Sequence, residues 1–140
     1  IVGQHPTENV WKLSNLPNIE VTGRVEDVKP YIAQSAVYIV PLRIGGGTRL
    51  KILEALAMEK AVVSTSIGAE GLELINNKEV IIENEPVKFA ARVVELLENP
   101  DRCRELGMTG RSRVQSDYGW EAIGEKLRSV YTSLLEKSKK

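Results

Sequence analysis

Residues 41–71 read PLRIGGGTRLKILEALAMEKAVVSTSIGAEG, and this stretch decides the fold. It leads from the end of an apolar strand (36–41) through three consecutive glycines into an amphipathic segment (48–58). A second apolar strand (60–65) follows. A strand, a helix and another strand in this order are typical of a parallel βαβ unit. We therefore expect the glycines to lie in a loop at the carboxyl end of a buried strand.

The same alternation extends to both sides of this stretch. Further β-branched runs at 1–3, 19–23 and 79–82 predict buried strands. Other helices are predicted over 8–14, 27–35, 86–98, 100–116 and 119–138, with Pro30, Pro86 and Pro100 where helices can start. The sequence predicts an α/β fold: a Rossmann-like, mostly parallel sheet with helices on both faces and a helical C-terminus. We expect one domain over residues 1–140.

Composition restricts the function. The 140 residues include 42% apolar residues and 19 basic against 19 acidic side chains, so the formal net charge is zero. Such a chain can bury a sizeable core but has no overall field to attract nucleic acid, and we expect no nucleic-acid partner. No apolar run approaches the roughly 20 residues of a transmembrane segment, and we expect none. The single cysteine, Cys103, favours a reducing, cytoplasmic location.

The loop from Gly45 to Gly47 has the composition of an anion-binding site. Glycine allows positive φ angles and a close approach of ligand to backbone. We expect Thr48 to cap the following helix, whose free N–H groups would attract phosphate. The alternative is a plain tight turn. Basic neighbours favour phosphate binding but would also suit a solvated surface: Arg43, Arg49 and Lys51.

Glu54 lies at the edge of the apolar face of the predicted helix, between Leu50 and Met58. A carboxylate in such a place needs a partner. It could form an ion pair with Lys51, one turn earlier, or accept hydrogen bonds from the hydroxyls of a ligand. Spacing alone leaves both interpretations open.

A family resemblance covers nearly the whole chain. Residues 23–72, GRVEDVKPYIAQSAVYIVPLRIGGGTRLKILEALAMEKAVVSTSIGAEGL, resemble the C-terminal, donor-binding half of family 4 glycosyltransferases with the two-domain GT-B fold. Residues 118–137, YGWEAIGEKLRSVYTSLLEK, resemble the closing helix of that domain. The resemblance implies half of a GT-B fold that lacks its first, central strand.

The resemblance also implies a donor site. In the family, two glutamates separated by seven residues mark this site, and the second binds the ribose of the nucleotide. Glu54, followed by Ala55, matches the second glutamate, whereas Gly46 replaces the first, so the acidic contact to the donor sugar is absent. The loop 66–71 matches the turn after the next strand, where Glu70 is either a solvated charge or a contact. The implied donor-binding residues are Gly23, Arg24, Gly45, Gly46, Gly47, Thr48, Arg49, Leu50 and Glu54.

The implied function is the nucleotide-sugar-binding half of a retaining glycosyltransferase that acts on a glycan, lipid or small-molecule acceptor. The family's N-terminal acceptor domain and its diphosphate-binding Arg and Lys are missing here. We therefore assign no catalytic residue and expect the fragment alone to be inactive. The chain has no Asp-x-Asp pair, so we expect no metal cofactor.

The sequence also suits other functions. The same architecture would suit a non-catalytic nucleotide-binding or interaction domain, or half of a sugar-nucleotide epimerase. A missing central strand would leave unpaired sheet edges, and we expect either direct pairing of the strand at 1–3 with the strand at 36–41 or a homodimer of the fragment. In the full-length protein we expect a cytoplasmic location, free or peripheral at the inner face of the membrane.

Overall fold

The computed structural model of the chain describes residues 1–137 and divides into two compact units, Ile1–Ser35 and the residues from Ala36 onward. The first unit contains helix α1 (Glu8–Trp11), a 3-10 helix (Lys12–Asn15) and helix α2 (Lys29–Gln34). The first turn of α2 contains Pro30, as predicted.

The strands predicted at 1–3 and 19–23 are not formed. A single parallel bridge joins Val2 to Gly23, and the amide of Gly3 donates to the carbonyl of Gly23 at 3.2 Å. A pair of parallel strands is stable only when side chains cover both of its faces. In this unit only Gly23 and Ile32 are buried, so a longer ladder has no core to support it.

The second unit is built on a parallel sheet of three strands: β1 (Val37–Val40), β2 (Ala61–Ser64) and β3 (Ile81–Ile82), in the order β1-β2-β3. Val37 pairs with Ala61 at the start of β1, and Val63 pairs with Ile81 in the second ladder. Within residues 36–137, no further strand pairs with the other edge of β1. This is the partial sheet expected of a fold that lacks its central strand.

Four helices complete this unit: α3 (Leu50–Ala57), α4 (Pro86–Glu98), α5 (Pro100–Asp117) and α6 (Trp120–Lys137). The carboxylate of Glu85 caps α4 by accepting from the amides of Val87 and Lys88 at 2.9 and 3.1 Å. The side chain of Asn99 caps α5 by accepting from the amide of Arg102 at 3.0 Å. Each cap precedes a proline at the first helical residue, so both predicted helix starts are confirmed.

The core surrounds β2. Successive side chains of a strand point to opposite faces, so Ala61 and Val63 lie on one face while Val62 and Ser64 lie on the other. All four are buried, and both faces of the strand are therefore covered. Ala61 and Val63 pack in one cluster with residues of β3, α4 and α5: Ile81, Phe89, Leu96 and Leu106. This layered arrangement confirms the predicted α/β class.

Candidate functional site

Two loops emerge side by side at the carboxyl edge of the sheet. Val40 at the end of β1 pairs with Ser64 at the end of β2, so the following segments, 41–49 and 65–71, start next to each other. The hydroxyl of Thr65 ties them together, because it donates to the carbonyl of Leu42 and accepts from the amide of Gly68. Ligands of open α/β sheets bind beyond this edge, so these loops are the candidate site.

The glycine loop is exposed, and Gly47 adopts a left-handed φ of 80° that favours glycine. Helix α3 begins at Leu50, and the residue at its N-cap is Arg49. The prediction that Thr48 caps this helix is therefore wrong. The chain enters the helix after Thr48, and the cap position makes no side-chain hydrogen bond. Thr48 is an exposed residue of the loop itself.

Arg49 binds the glycine loop through its guanidinium group. The residue is only 4% exposed, and its Nη1 and Nη2 donate to the carbonyls of Gly46 and Gly45, both at 3.2 Å. Nη2 also donates to Oε2 of Glu70 at 3.1 Å. Within residues 1–137, Nε of Arg49 is buried without a hydrogen-bond partner. The positive charge of Arg49 is thus used inside the protein, to fix this loop and to join it to the loop after β2.

These contacts determine where the loop amides point. In a trans peptide the carbonyl of one residue and the N–H of the next point in opposite directions. Because the carbonyls of Gly45 and Gly46 face the guanidinium of Arg49, the amides of Gly46 and Gly47 point away from it. Neither amide donates to a protein group in the described part of the chain. Two adjacent free amides in an exposed loop form a site suited to an anion.

Glu54 lies half-buried on α3, five residues after Arg49 in the chain. Across residues 1–137 its carboxylate makes no salt bridge and accepts no hydrogen bond, so the ion pair with Lys51 considered from the sequence is not formed. Its charge acts on Tyr38 of β1. Burial, and secondly the carboxylate of Glu54, raise the pKa of the Tyr38 phenol. The carboxylate is therefore close enough to the strand to act on Tyr38, and among the described residues it has no hydrogen-bond or ion-pair partner.

The structure brings most of the proposed donor-binding residues together. Residues from Gly45 to Glu54 form one continuous loop and helix, with Leu50 exposed at the start of α3. Gly23 and Arg24 belong to the other compact unit. There Gly23 has a left-handed φ of 68°, which favours glycine at this position. Arg24 is exposed.

The sequence did not predict the roles of three residues at the carboxyl edge of the sheet. Tyr38 lies close enough to Glu54 to sense its charge, Thr65 joins the two loops, and Glu70 forms an ion pair with Arg49. Only Glu70 had a sequence signal, since it lies among the glycines of the loop after β2. In the range 1–137, no three His, Cys, Asp or Glu side chains lie close enough together to hold a metal ion. None of the helices in that range has the length and apolar content to span a bilayer.

Fold and site define an α/β protein whose candidate binding edge lies at the carboxyl ends of parallel strands. Residues 1–99 match the family model described as Glycosyl transferases group 1. The chain therefore belongs to the group 1 glycosyltransferases, as its resemblance to family 4 implied.

Curated relatives cover most of the chain. It is 29% identical to the capsular polysaccharide biosynthesis glycosyltransferase CapM of Staphylococcus aureus, over 99% of this chain and 38% of the relative. It is 27% identical to a GDP-mannose-dependent phosphatidylinositol monomannoside mannosyltransferase of Corynebacterium glutamicum, over 83% of this chain and 33% of that protein. The chain thus spans about a third of the length of these relatives.

Solved structures agree on the fold. The sucrose-phosphate synthase of Thermosynechococcus elongatus superposes with a TM-score of 0.74 at 24% identity, and the match covers 93% of this chain and 34% of that one. The predicted GT-B, Rossmann-like architecture is confirmed by this likeness.

Proposed function

We propose that this chain is the nucleotide-sugar-binding half of a retaining glycosyltransferase, which transfers an activated sugar to a glycan, lipid or small-molecule acceptor. The observation that most directly supports this proposal is the pair of free amides at Gly46 and Gly47, which lie in an exposed loop just before the start of α3. The diphosphate of the donor binds here, since backbone donors and a helix N-terminus both attract anions.

In this proposal Glu54 binds the nucleoside of the donor. It is a half-buried carboxylate that accepts no hydrogen bond from the described protein groups, and its oxygens are not among the buried unpaired atoms, so they are free to accept from a ligand. The ribose hydroxyls of a donor would displace water and donate to them. Glu54 follows the glycine loop by two helical turns at most, so one ligand can bind both.

The proposal extends to cofactors and partners. In this proposal no metal ion is needed, because the negative charge of the diphosphate is balanced by backbone amides, by the dipole of α3 and by exposed basic residues such as Arg43 and Lys51. The acceptor site lies in a further domain of the full-length protein. We place the protein in the cytoplasm, where a single free thiol stays reduced. The relatives include capsular and lipid-directed enzymes, so a cell-surface glycan or a lipid is the favoured acceptor.

The test is an NMR titration of the full-length protein labelled with ¹⁵N-glycine. UDP, GDP and TDP are added in turn, each beside its phosphate-free nucleoside, in EDTA and then in Mg²⁺. We expect one diphosphate to shift the signals of Gly45, Gly46 and Gly47 in EDTA, while the nucleoside shifts them much less. Gly124, which lies on α6 and outside both loops of the candidate site, is the internal control.

Two results would refute the proposal. Shifts confined to other glycines, or none at millimolar nucleotide, would remove the loop as the diphosphate site. Shifts that occur only in Mg²⁺ would leave the site but overturn the metal-free part of the proposal.

A further inference from the structure

The loop after β2 presents one carboxylate next to the glycine loop. Glu70 lies 21 residues from Arg49 in the chain, and its Oε2 accepts from Nη2 of Arg49 at 3.1 Å. The same guanidinium binds the carbonyls of Gly45 and Gly46. One planar group therefore connects the carboxylate to the loop that carries the free amides. Gly46 has no side chain, and the carboxylate that is linked to the glycine loop through Arg49 is that of Glu70.

The position of Glu70 is fixed by more than its ion pair. Its loop turns tightly at Gly68, where a Cβ would lie 2.9 Å from the carbonyl oxygen of Val40. The amide of Ala69 donates to the carbonyl of Thr65 at 3.1 Å, and that of Gly68 donates to the hydroxyl of Thr65 at 3.0 Å. These contacts anchor the turn against the end of β1. The carboxylate is thus attached to a well-supported part of the backbone.

Glu70 is nevertheless open to solvent. Its side chain is 71% exposed, whereas that of Arg49 is 5% exposed. Oε2 is held by the guanidinium, and Oε1 accepts no hydrogen bond from residues 1–137. A carboxylate held at one oxygen and free at the other can accept a hydrogen bond from a ligand.

The chemistry of the carboxylate selects the part of the ligand that it touches. An ionised carboxylate only accepts hydrogen bonds and repels phosphate, so its partner must be a neutral donor such as a hydroxyl. A hexose bound to the distal phosphate of a diphosphate carries several hydroxyls within reach of the diphosphate site. Glu54 already serves the hydroxyls on the nucleoside side.

We infer that Glu70, positioned by Arg49, recognises the sugar of the donor by accepting from its hydroxyls. This inference rests on the proposed function. Under the alternative, Glu70 only balances the buried charge of Arg49. A purely structural role would affect the loop as a whole, and hence the diphosphate as much as the sugar.

The two roles separate when nucleotide and nucleotide-sugar are compared. Calorimetry on the full-length protein measures the Kd values of UDP, UDP-glucose, GDP and GDP-mannose for the native protein and for Glu70→Gln. Gln keeps the shape of Glu and an oxygen for Arg49, but it loses the charge. For the nucleotide-sugar that binds, we expect Glu70→Gln to raise the Kd about tenfold. The Kd of the corresponding nucleoside diphosphate should change by no more than about twofold.

Glu95→Gln is the matched control, because Glu95 is also an exposed glutamate in an ion pair, with Arg92 on α4 at 2.8 Å. It should leave all four Kd values unchanged. A thermal unfolding midpoint for each variant checks that the fold is retained. Equal weakening of nucleotide and nucleotide-sugar by Glu70→Gln, or no weakening of either, would overturn the inference while leaving the proposed function standing. A native protein that binds none of these four ligands and neither TDP nor TDP-glucose would overturn both.

Discussion

Tyr38 and Glu54 interact across the gap between strand and helix. Burial of the phenol in β1 and, secondly, the carboxylate on α3 raise the pKa of Tyr38. Both residues belong to the unit that contains the glycine loop. The titration of Tyr38 therefore reports on the charge of Glu54. That charge is required for the proposed donor site.

Removal of that charge should lower the pKa of Tyr38. In Glu54→Gln the phenol no longer faces a negative group, so its anionic form is less disfavoured. The pKa should remain above the ordinary value of about 10, because burial, the larger cause, is unchanged. A pH titration followed by NMR of ¹³C-labelled tyrosine rings measures this, with the exposed Tyr131 as reference. An unchanged Tyr38 titration would show that Glu54 does not act on the phenol.

The ribose contact predicts a dependence on one hydroxyl. Loss of a hydrogen bond to a charged acceptor costs about 1.5 to 3 kcal/mol, or roughly ten- to a hundredfold in donor affinity. We expect Glu54→Ala to weaken the donor by this amount and Glu54→Gln by less, since an amide still accepts one bond. Affinities for the donor and its 2′-deoxy analogue, measured on the full-length protein, test this.

The 2′-deoxy analogue should bind the native protein more weakly than the donor, but it should bind Glu54→Ala about equally well. Equal weakening by the missing hydroxyl in both proteins would rule out the contact. Lys51→Ala serves as the control, because Lys51 is exposed and not paired with Glu54. It should leave the stability and the ratio of the two affinities unchanged, while loss of its positive charge near the diphosphate lowers both affinities together.

Two neighbouring glycines of the loop should respond differently to alanine. A Cβ at either Gly46 or Gly47 meets no atom within 4 Å, but only Gly47 has a positive φ, of 80°. Gly47→Ala should destabilise the fold by about 1 to 2 kcal/mol, because an L-residue is strained in this region. Gly46→Ala should be neutral or stabilising by about 0.5 kcal/mol. Urea unfolding compares them, and equal effects would contradict the loop geometry.

Gly107 should tolerate no side chain. A Cβ at this position of α5 would lie 2.1 Å from the carbonyl oxygen of Glu59, which is backbone and cannot rotate away. Gly107→Ala should therefore cost about 3 kcal/mol, as the helix is pushed off the turn after α3. Gly124→Ala on α6 meets nothing within 4 Å and should gain up to about 1 kcal/mol from helix propensity. Thermal unfolding of both variants tests this, and a near-neutral Gly107→Ala would disprove the close packing.

Local features of the sequence predicted local structure well. The starts of α4 and α5 followed from Pro86 and Pro100, because a proline at the first helical residue fixes its own backbone. The parallel sheet of β1, β2 and β3 followed from apolar runs alternating with amphipathic segments. The helix over 48–58 was also predicted, but its first two residues belong to the loop.

The contacts of the site depended on tertiary structure. Whether Glu54 pairs with Lys51 or acts on Tyr38 is decided by how α3 packs, since the spacing offers Lys51 one turn away but gives no distance to Tyr38 on a strand. The side chain of Arg49 could have been solvated. Instead it is buried, because Glu70 and two carbonyls replace its hydration.

The sequence by itself determined the α/β class, the order of its helices and the position of the glycine loop, since these follow from periodicity, proline and glycine along the chain. Its resemblance to a known family implied the membership that the family model shows. Only the tertiary structure decided that the segments 1–3 and 19–23 stop at one bridge, that Thr48 does not cap α3, and that Arg49 joins Glu70 to the loop. The physical reason is that these outcomes depend on burial and on the meeting of residues far apart in the chain. A linear pattern carries no distances of that kind.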